Sequence, residues 1–417
     1  MTDSPIHSNA SEGGSTRHPA LRAGLILLFV GAVAFTFGRP SLDCGFTSGD
    51  DQRFITEHGL VARPSIGNAV ELFTIIHGDL YQPLPMLTFM ANYAAAERIS
   101  DDRFGVSAFG FHLTNVLLHA VNAMLAAAIG WRLSRRPVVG LLTGLMFACH
   151  PFAVETVAWV SGRMMLLAAA FAMATMLACI SLRRDPESGS VSLASTHAQP
   201  RPALPILFWT ASLASKVMPS VPIAAAWFEW SADCGKPWAK RRRWTYGALL
   251  IMAVGASLFA MYTTRRAGFV MDEAEFDTSP MVQTLLAFRY YLENYFAPLG
   301  LSPWVPPPDG IQVASPECAL AIGEIIVLIV IAFLLRRRVP LATASIVAFL
   351  ILLAPYMATS SARRFLAADR YMYLPILGLH LAAAAALAVM SDALDRRLTP
   401  TIRHRFLVLP TALVVIP

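Results

Sequence analysis

Asp50 and Asp51 are adjacent carboxylates. Two neighbouring carboxylates repel, so one can hold its proton to a higher pH and serve as a general base, or the two can share a cation. The same pair is also readable as a solvated loop charge. A second cluster joins His150, Pro151, Glu155, Trp159, Ser161, Gly162 and Arg163. Pro151 ends or kinks a helix at that point. Ionisable groups between apolar runs are costly, which marks His150, Glu155 and Arg163 as binding candidates. The alternative is a structural Glu155–Arg163 pair closing a helical hairpin. Ser215-Lys216 forms a third interruption, where Lys216 is either a phosphate ligand or a snorkelling side chain. The fourth cluster is Arg363, Arg364, Asp369, Arg370, Tyr371 and Tyr373. Its arginines suit bidentate phosphate binding, unless Asp369 merely neutralises part of their charge.

The elements that must position these groups are apolar. Of 417 residues, 56% are hydrophobic and only 14% are charged. Mean hydropathy is +0.54. That balance excludes a soluble globule, a disordered chain, a coiled coil and a small disulfide scaffold. The net charge is +6 and 30 of the 33 basic residues are arginine, but no tract is spaced like a nucleic-acid arm. The chain is expected to be an all-α polytopic membrane protein with about 10–11 transmembrane helices. Residues 1–20 read as a disordered cytoplasmic tail and 21–417 as the membrane domain. A first span from Ala23 to Gly38 reads as an uncleaved signal anchor, although Ala32-Val33-Ala34 resembles a cleavage site. Further apolar runs begin near 107, 138, 163, 203, 217, 245, 318, 340, 371 and 406. Residues 39–104 then form the first external loop. Residues 264–316 form another, which carries the tyrosine-rich interfacial or re-entrant segment Pro280–Gly300.

With a cytoplasmic N-terminus, 20 basic and 8 acidic residues fall inside, and 13 basic and 19 acidic residues fall outside. The net charge therefore divides into +12 inside and −6 outside, as the positive-inside rule requires. All four chemical clusters lie outside in this topology. Their arginines run against the rule, and an anionic lipid headgroup at the outer face would account for them. The five cysteines, Cys44, Cys149, Cys179, Cys234 and Cys318, have no zinc-like spacing. Cys44 and Cys318 both fall outside, where a disulfide is permitted.

Six stretches occur in an order that resembles the membrane domain of the transmembrane-and-tetratricopeptide-repeat O-mannosyltransferases and their bacterial relatives. They are Asp50-Asp51-Gln-Arg-Phe-Ile-Thr-Glu with Tyr81-Gln-Pro-Leu; Phe111-His112-Leu-Thr-Asn115-Val-Leu-Leu-His119; and His150-Pro151-Phe-Ala-Val-Glu155-Thr-Val-Ala-Trp159-Val-Ser-Gly-Arg163. Leu213-Ala-Ser215-Lys216, Tyr290-Tyr291 with Pro298-Leu-Gly-Leu-Ser-Pro303, and Ala368-Asp369-Arg370-Tyr-Met-Tyr-Leu-Pro375 complete the set. Each stretch is weak alone, and the six in register are strong. Two departures stand out. Met164-Met165 occupy the place where the family often carries a charged pair, and no tetratricopeptide repeats occur in the chain.

The arginine bias and abundant alanine suggest a GC-rich bacterial genome, and with it a bacterial inner membrane with the site facing the periplasm. The resemblance implies a GT-C glycosyltransferase fold. It implies transfer of a mannose-like sugar from a polyprenyl-phosphate carrier to a protein, lipid or glycan hydroxyl, as in protein O-mannosylation. Asp50 or Asp51 would be the catalytic base, and one displacement would invert the anomeric centre. Arg163, Lys216, Arg363, Arg364 and above all Arg370 would stabilise the departing phosphate. His150, Glu155, Asp369 and Tyr371 would line the substrate site. No cofactor is required, and a divalent cation is compatible with the aspartate pair. The alternatives are a transporter or flippase of lipid-linked or anionic solutes, or an inactive membrane scaffold. Neither predicts sugar transfer.

Overall fold

A computed structural model describes residues 19–77, 80–99, 104–182, 202–233, 237–266, 279–308, 310–360 and 365–396. The expected tail 1–20 lies largely outside the described residues, as does the apolar run beginning at 406. The architecture is helical throughout, with α1 (Pro19–Gly38), α2 (Ile66–Glu71), α3 (Pro83–Ala95), α4 (Phe109–Ser134) and α5 (Pro137–Cys149). Then come α6 (Ala153–Ala158), α7 (Arg163–Ile180), α8 (Ala203–Leu213), α9 (Val221–Ala232) and α10 (Lys240–Arg266). The series ends with α11 (Pro280–Phe296), α12 (Pro316–Leu335), α13 (Pro340–Ser360) and α14 (Ile376–Asp395). Among the described residues, β pairing is limited to three isolated bridges.

Among the described residues, seven helical segments are long and apolar enough to cross a membrane: those of α1, α4, α7, α10, α12, α13 and α14. This is an all-α polytopic membrane protein. Three runs expected to span are shorter: α5 has 13 residues, α8 has 11 and α9 has 12. Proline sets these lengths. Pro137 starts α5 and Pro151 follows its end, while Pro219 and Pro222 confine the start of α9. The tyrosine-rich segment is the 17-residue α11, whose N-cap Ser279 accepts from Val282 N at 3.4 Å. Helix α11 buries Val282, Leu286, Phe288 and Tyr291.

The spans pack as membrane helices do, through small residues where backbones approach. A Cβ on Gly140 would lie 2.7 Å from Ala127 O, so only glycine lets α5 sit this close to α4. By contrast, α10 and α12 present Ile251, Leu258, Phe333 and Leu334 outward, which costs nothing in hydrocarbon. The antiparallel run gathers Arg132, Arg135, Arg136, Arg241 to Arg243, Arg336 to Arg338 and Arg396 at one end. Pairs there join helices: Arg136 meets Asp392 at 2.7 Å, and Arg242 meets Glu229 and Asp233. The opposite end collects the connections α1–α4, α5–α7, α8–α9 and α13–α14, which carry the candidate chemistry.

Candidate active site

The two aspartates have different surroundings. Asp51 is 0% exposed and all its acceptor capacity is used. Its Oδ2 accepts from Thr47 N and Thr47 Oγ1, both at 2.8 Å. Its Oδ1 accepts from Ser161 N at 2.9 Å and Ser161 Oγ at 2.5 Å. Asp51 therefore latches the first loop to the turn ahead of α7. That turn is tight: a Cβ on Gly162 would collide with the Thr156 carbonyl.

Asp50 precedes the latch by one residue and begins the approach to the π-helical turn Gln52–Thr56. It is half-buried, and no hydrogen bond among the described residues engages its carboxylate. Burial pushes its carboxyl above the ordinary carboxylate range. The Arg53, Arg370 and Lys216 charges oppose that rise, and the Asp51 charge adds to it. Asp50, Lys216 and Arg370 thus share one electrostatic neighbourhood, although they come from three separate connections.

Arg370 lies in the 3-10 turn Asp369–Met372 before α14. Glu155 holds it twice: Oε2 accepts from Arg370 N at 2.7 Å and Oε1 from Nη1 at 2.6 Å. Nη1 also donates to Pro303 O at 2.9 Å. Trp159, Phe365 and Tyr371 surround the guanidinium, with ring centroids 5.4, 5.5 and 5.1 Å away. The alternative reading of a Glu155–Arg163 pair is not met, because Glu155 holds Arg370 instead. Lys216 Nζ lies 5.8 Å from the centroid of Tyr371 and 4.0 Å from Met164 Sδ. Tyr371 is stacked on Tyr356 at 4.8 Å.

Arg163 is placed differently from the expected phosphate ligand. It is 0% exposed, and its donors are engaged inside the protein. Nε donates to Asn115 Oδ1 at 2.9 Å, Nη1 to Asn92 Oδ1 at 2.5 Å and Nη2 to Phe111 O at 2.7 Å. Asn115 Nδ2 in turn donates to the carbonyls of Val157, Trp159 and Val160. Arg163 therefore supports the turn that offers Ser161 to Asp51. His150 is likewise occupied. Its Nδ1 accepts from Phe152 N at 3.3 Å, which leaves Nε2 to donate to Tyr295 O at 3.2 Å. Its ring is sandwiched between Phe152 and Tyr295.

Asp369 is 5% exposed and accepts from Tyr290 Oη at 2.6 Å. Burial raises its carboxyl to about 6, against the pull of the Tyr290 bond. Between the ordinary carboxylate range and pH 6 the folded chain thus binds a proton that the unfolded chain releases. Stability from this group is fully present below the lower limit and falls as pH rises through the window. The expected loss is at most about 3 kcal/mol. Thermal midpoints measured from pH 4 to pH 7 should show it as a downward contribution that Asp369→Asn removes.

Arg363 and Arg364 lie outside the described residues. Cys44 and Cys318 are free thiols, so they do not pair with each other. Among the described residues, no group of three or more His, Cys, Asp or Glu side chains is arranged to hold a metal ion.

Among curated proteins, the chain is 30% identical over 186 residues to the protein O-mannosyl-transferase TMTC4 of Homo sapiens. That stretch is 40% of this chain and 24% of TMTC4. It is 33% identical over 175 residues to protein O-mannosyl-transferase Tmtc1 of Drosophila melanogaster, covering 39% of this chain and 19% of that one. The chain resembles the TMTC proteins. With human TMTC1 it shares 27% identity over 201 residues, 45% of this chain and 22% of TMTC1. The matched stretch is less than a quarter of each TMTC relative's length. No family model and no solved structure matches the chain.

Against the TMTC-like motifs, residue types alone miss two features. Thr47, four residues before Asp51, supplies half of the latch, yet a lone threonine before an acidic pair carries no distinctive signal. Asn92 supplies an acceptor to Arg163 from α3, outside every quoted motif. At the TMTC-like departure Met164-Met165, both side chains are buried and Met164 faces Lys216.

Proposed function

We propose that the chain is an integral-membrane glycosyltransferase of GT-C type. It moves a mannose-like sugar from a polyprenyl-phosphate carrier to an acceptor hydroxyl at the external face of a bacterial inner membrane. The supporting observation is the pairing of an unengaged, half-buried Asp50 carboxylate with the Arg370 and Lys216 charges at one end of the helix assembly. The O-mannosyl-transferase names of the relatives agree with this reading.

Asp50 takes the acceptor proton as the hydroxyl oxygen attacks the anomeric carbon. The bond from that carbon to the phosphate oxygen breaks, and polyprenyl phosphate leaves with the electron pair. Arg370 and Lys216 offset the charge growing on that phosphate, where fixed cations act more strongly than water does. The raised pKa of Asp50 makes it a better base than an ordinary carboxylate. A single displacement inverts the anomeric centre. Asp51, Glu155 and Arg163 position these groups instead of reacting.

The test uses the purified chain in lipid, a polyprenyl-phosphate mannose and hydroxyl acceptors. The expected product is a glycoside of inverted configuration, with release of polyprenyl phosphate. Donor movement across vesicles without transfer would mean a transporter. Donor binding with neither movement nor transfer would mean an inactive scaffold.

A further inference from the structure

The first external loop carries an apolar stripe that faces away from the protein. Ile66, Val70 and Phe73 are 87%, 63% and 43% exposed. Their spacing of four and then three residues puts them on one helical face. Helix α2 covers Ile66–Glu71, and backbone bonds from Leu72 N to Asn68 O and from Phe73 N to Val70 O continue its turn past Phe73. Leu72, on the opposite side, is fully buried. From Pro64 to His77 the only acidic or basic side chain besides the buried His77 is Glu71. A water-facing loop of this composition would be anomalous.

The location of the stripe identifies what covers it. Tyr81 Oη donates to Phe73 O at 2.9 Å, which ties the end of the stripe to Tyr81. The Tyr81 ring meets Phe259 edge-on at 5.7 Å. Phe259 is on the outward surface of α10, two turns before its site-side end, beside the exposed Met261 and Tyr262. The stripe is thus continuous with the outward apolar surface of a spanning helix. Arg63, exposed and next to Pro64, marks the polar edge.

We propose that Ile66, Val70 and Phe73 insert into the lipid interface, so that the loop holding Asp50 rests on the bilayer instead of projecting from it. The partner is the apolar boundary beneath the lipid headgroups, which takes up an amphipathic segment by its apolar face. This anchoring does not depend on what the site transfers.

Val70→Cys and Phe73→Cys, each in a Cys44→Ser background, are spin-labelled in the full chain and reconstituted into phosphatidylcholine vesicles. The background chain supplies the blank, and Arg63→Cys is the reference. The labels at 70 and 73 should collide with oxygen more often than with a water-soluble nickel chelate, by several-fold relative to position 63. Chelate collisions dominating at 70 and 73 would overturn the proposal. Protection from both quenchers would also overturn it, because protein would then cover the stripe.

Discussion

Asp50→Asn should lower sugar transfer by about 10²–10⁴ while leaving the thermal midpoint of the protein unchanged. The carboxylate makes no hydrogen bond among the described residues, so its amide replacement breaks none. What is lost is the proton acceptor. The effect should fall on kcat with little change in KM for the donor, because Asp50 acts on the acceptor hydroxyl. Asp51→Asn gives the contrasting result. An amide in that place cannot accept from both Ser161 N and Ser161 Oγ while also accepting from Thr47 N and Oγ1. Its loss of activity should therefore come with a lower thermal midpoint. Equal, full turnover in Asp50→Asn would end the assignment of Asp50 as base.

Arg163→Met should remove about 3–5 kcal/mol of stability, the largest loss expected at any single residue of the site. Methionine fills the volume but leaves Asn115 Oδ1, Asn92 Oδ1 and the Phe111 carbonyl without their donor in a dry interior. Each orphaned acceptor costs about 1–3 kcal/mol. Arg163→Lys should not restore it, because a point ammonium cannot serve partners that the planar fork reaches from three of its nitrogens. Thermal unfolding in detergent reads the loss directly. If Arg163→Met keeps its midpoint and only weakens donor binding, Arg163 is a phosphate ligand after all.

The contrast between these two residues shows what could be read from residue order. Uninterrupted apolarity made the helical, membrane-spanning class legible, because hydrocarbon admits few other backbone solutions. It did not give helix lengths where proline intervenes, as at Pro151 and Pro219. The sequence placed Asp50, Lys216 and Arg370 at one end through the alternation of spans. It could not distinguish Asp50 from Asp51, because the decision is made by Ser161, 110 residues away. Nor could it decide between a structural Glu155–Arg163 pair and separate roles for the two residues. Those residues are close in order, yet Glu155 is claimed by a turn far downstream and Arg163 by asparagines on α3 and α4.

That long reach has a consequence for biogenesis. Glu155 and Arg370 are separated by 215 residues. At ribosomal speeds of about 5–20 residues per second, Glu155 leaves the ribosome roughly 10–40 s before its cation exists. During that interval the nascent chain carries an uncompensated carboxylate at the rim of its half-built helix assembly. Arg370 follows α13 in the chain, so its contact with Glu155 cannot form until thirteen of the fourteen described helices have been synthesised. A chain stalled before Arg370 would leave Glu155 without the cation it holds in the complete fold.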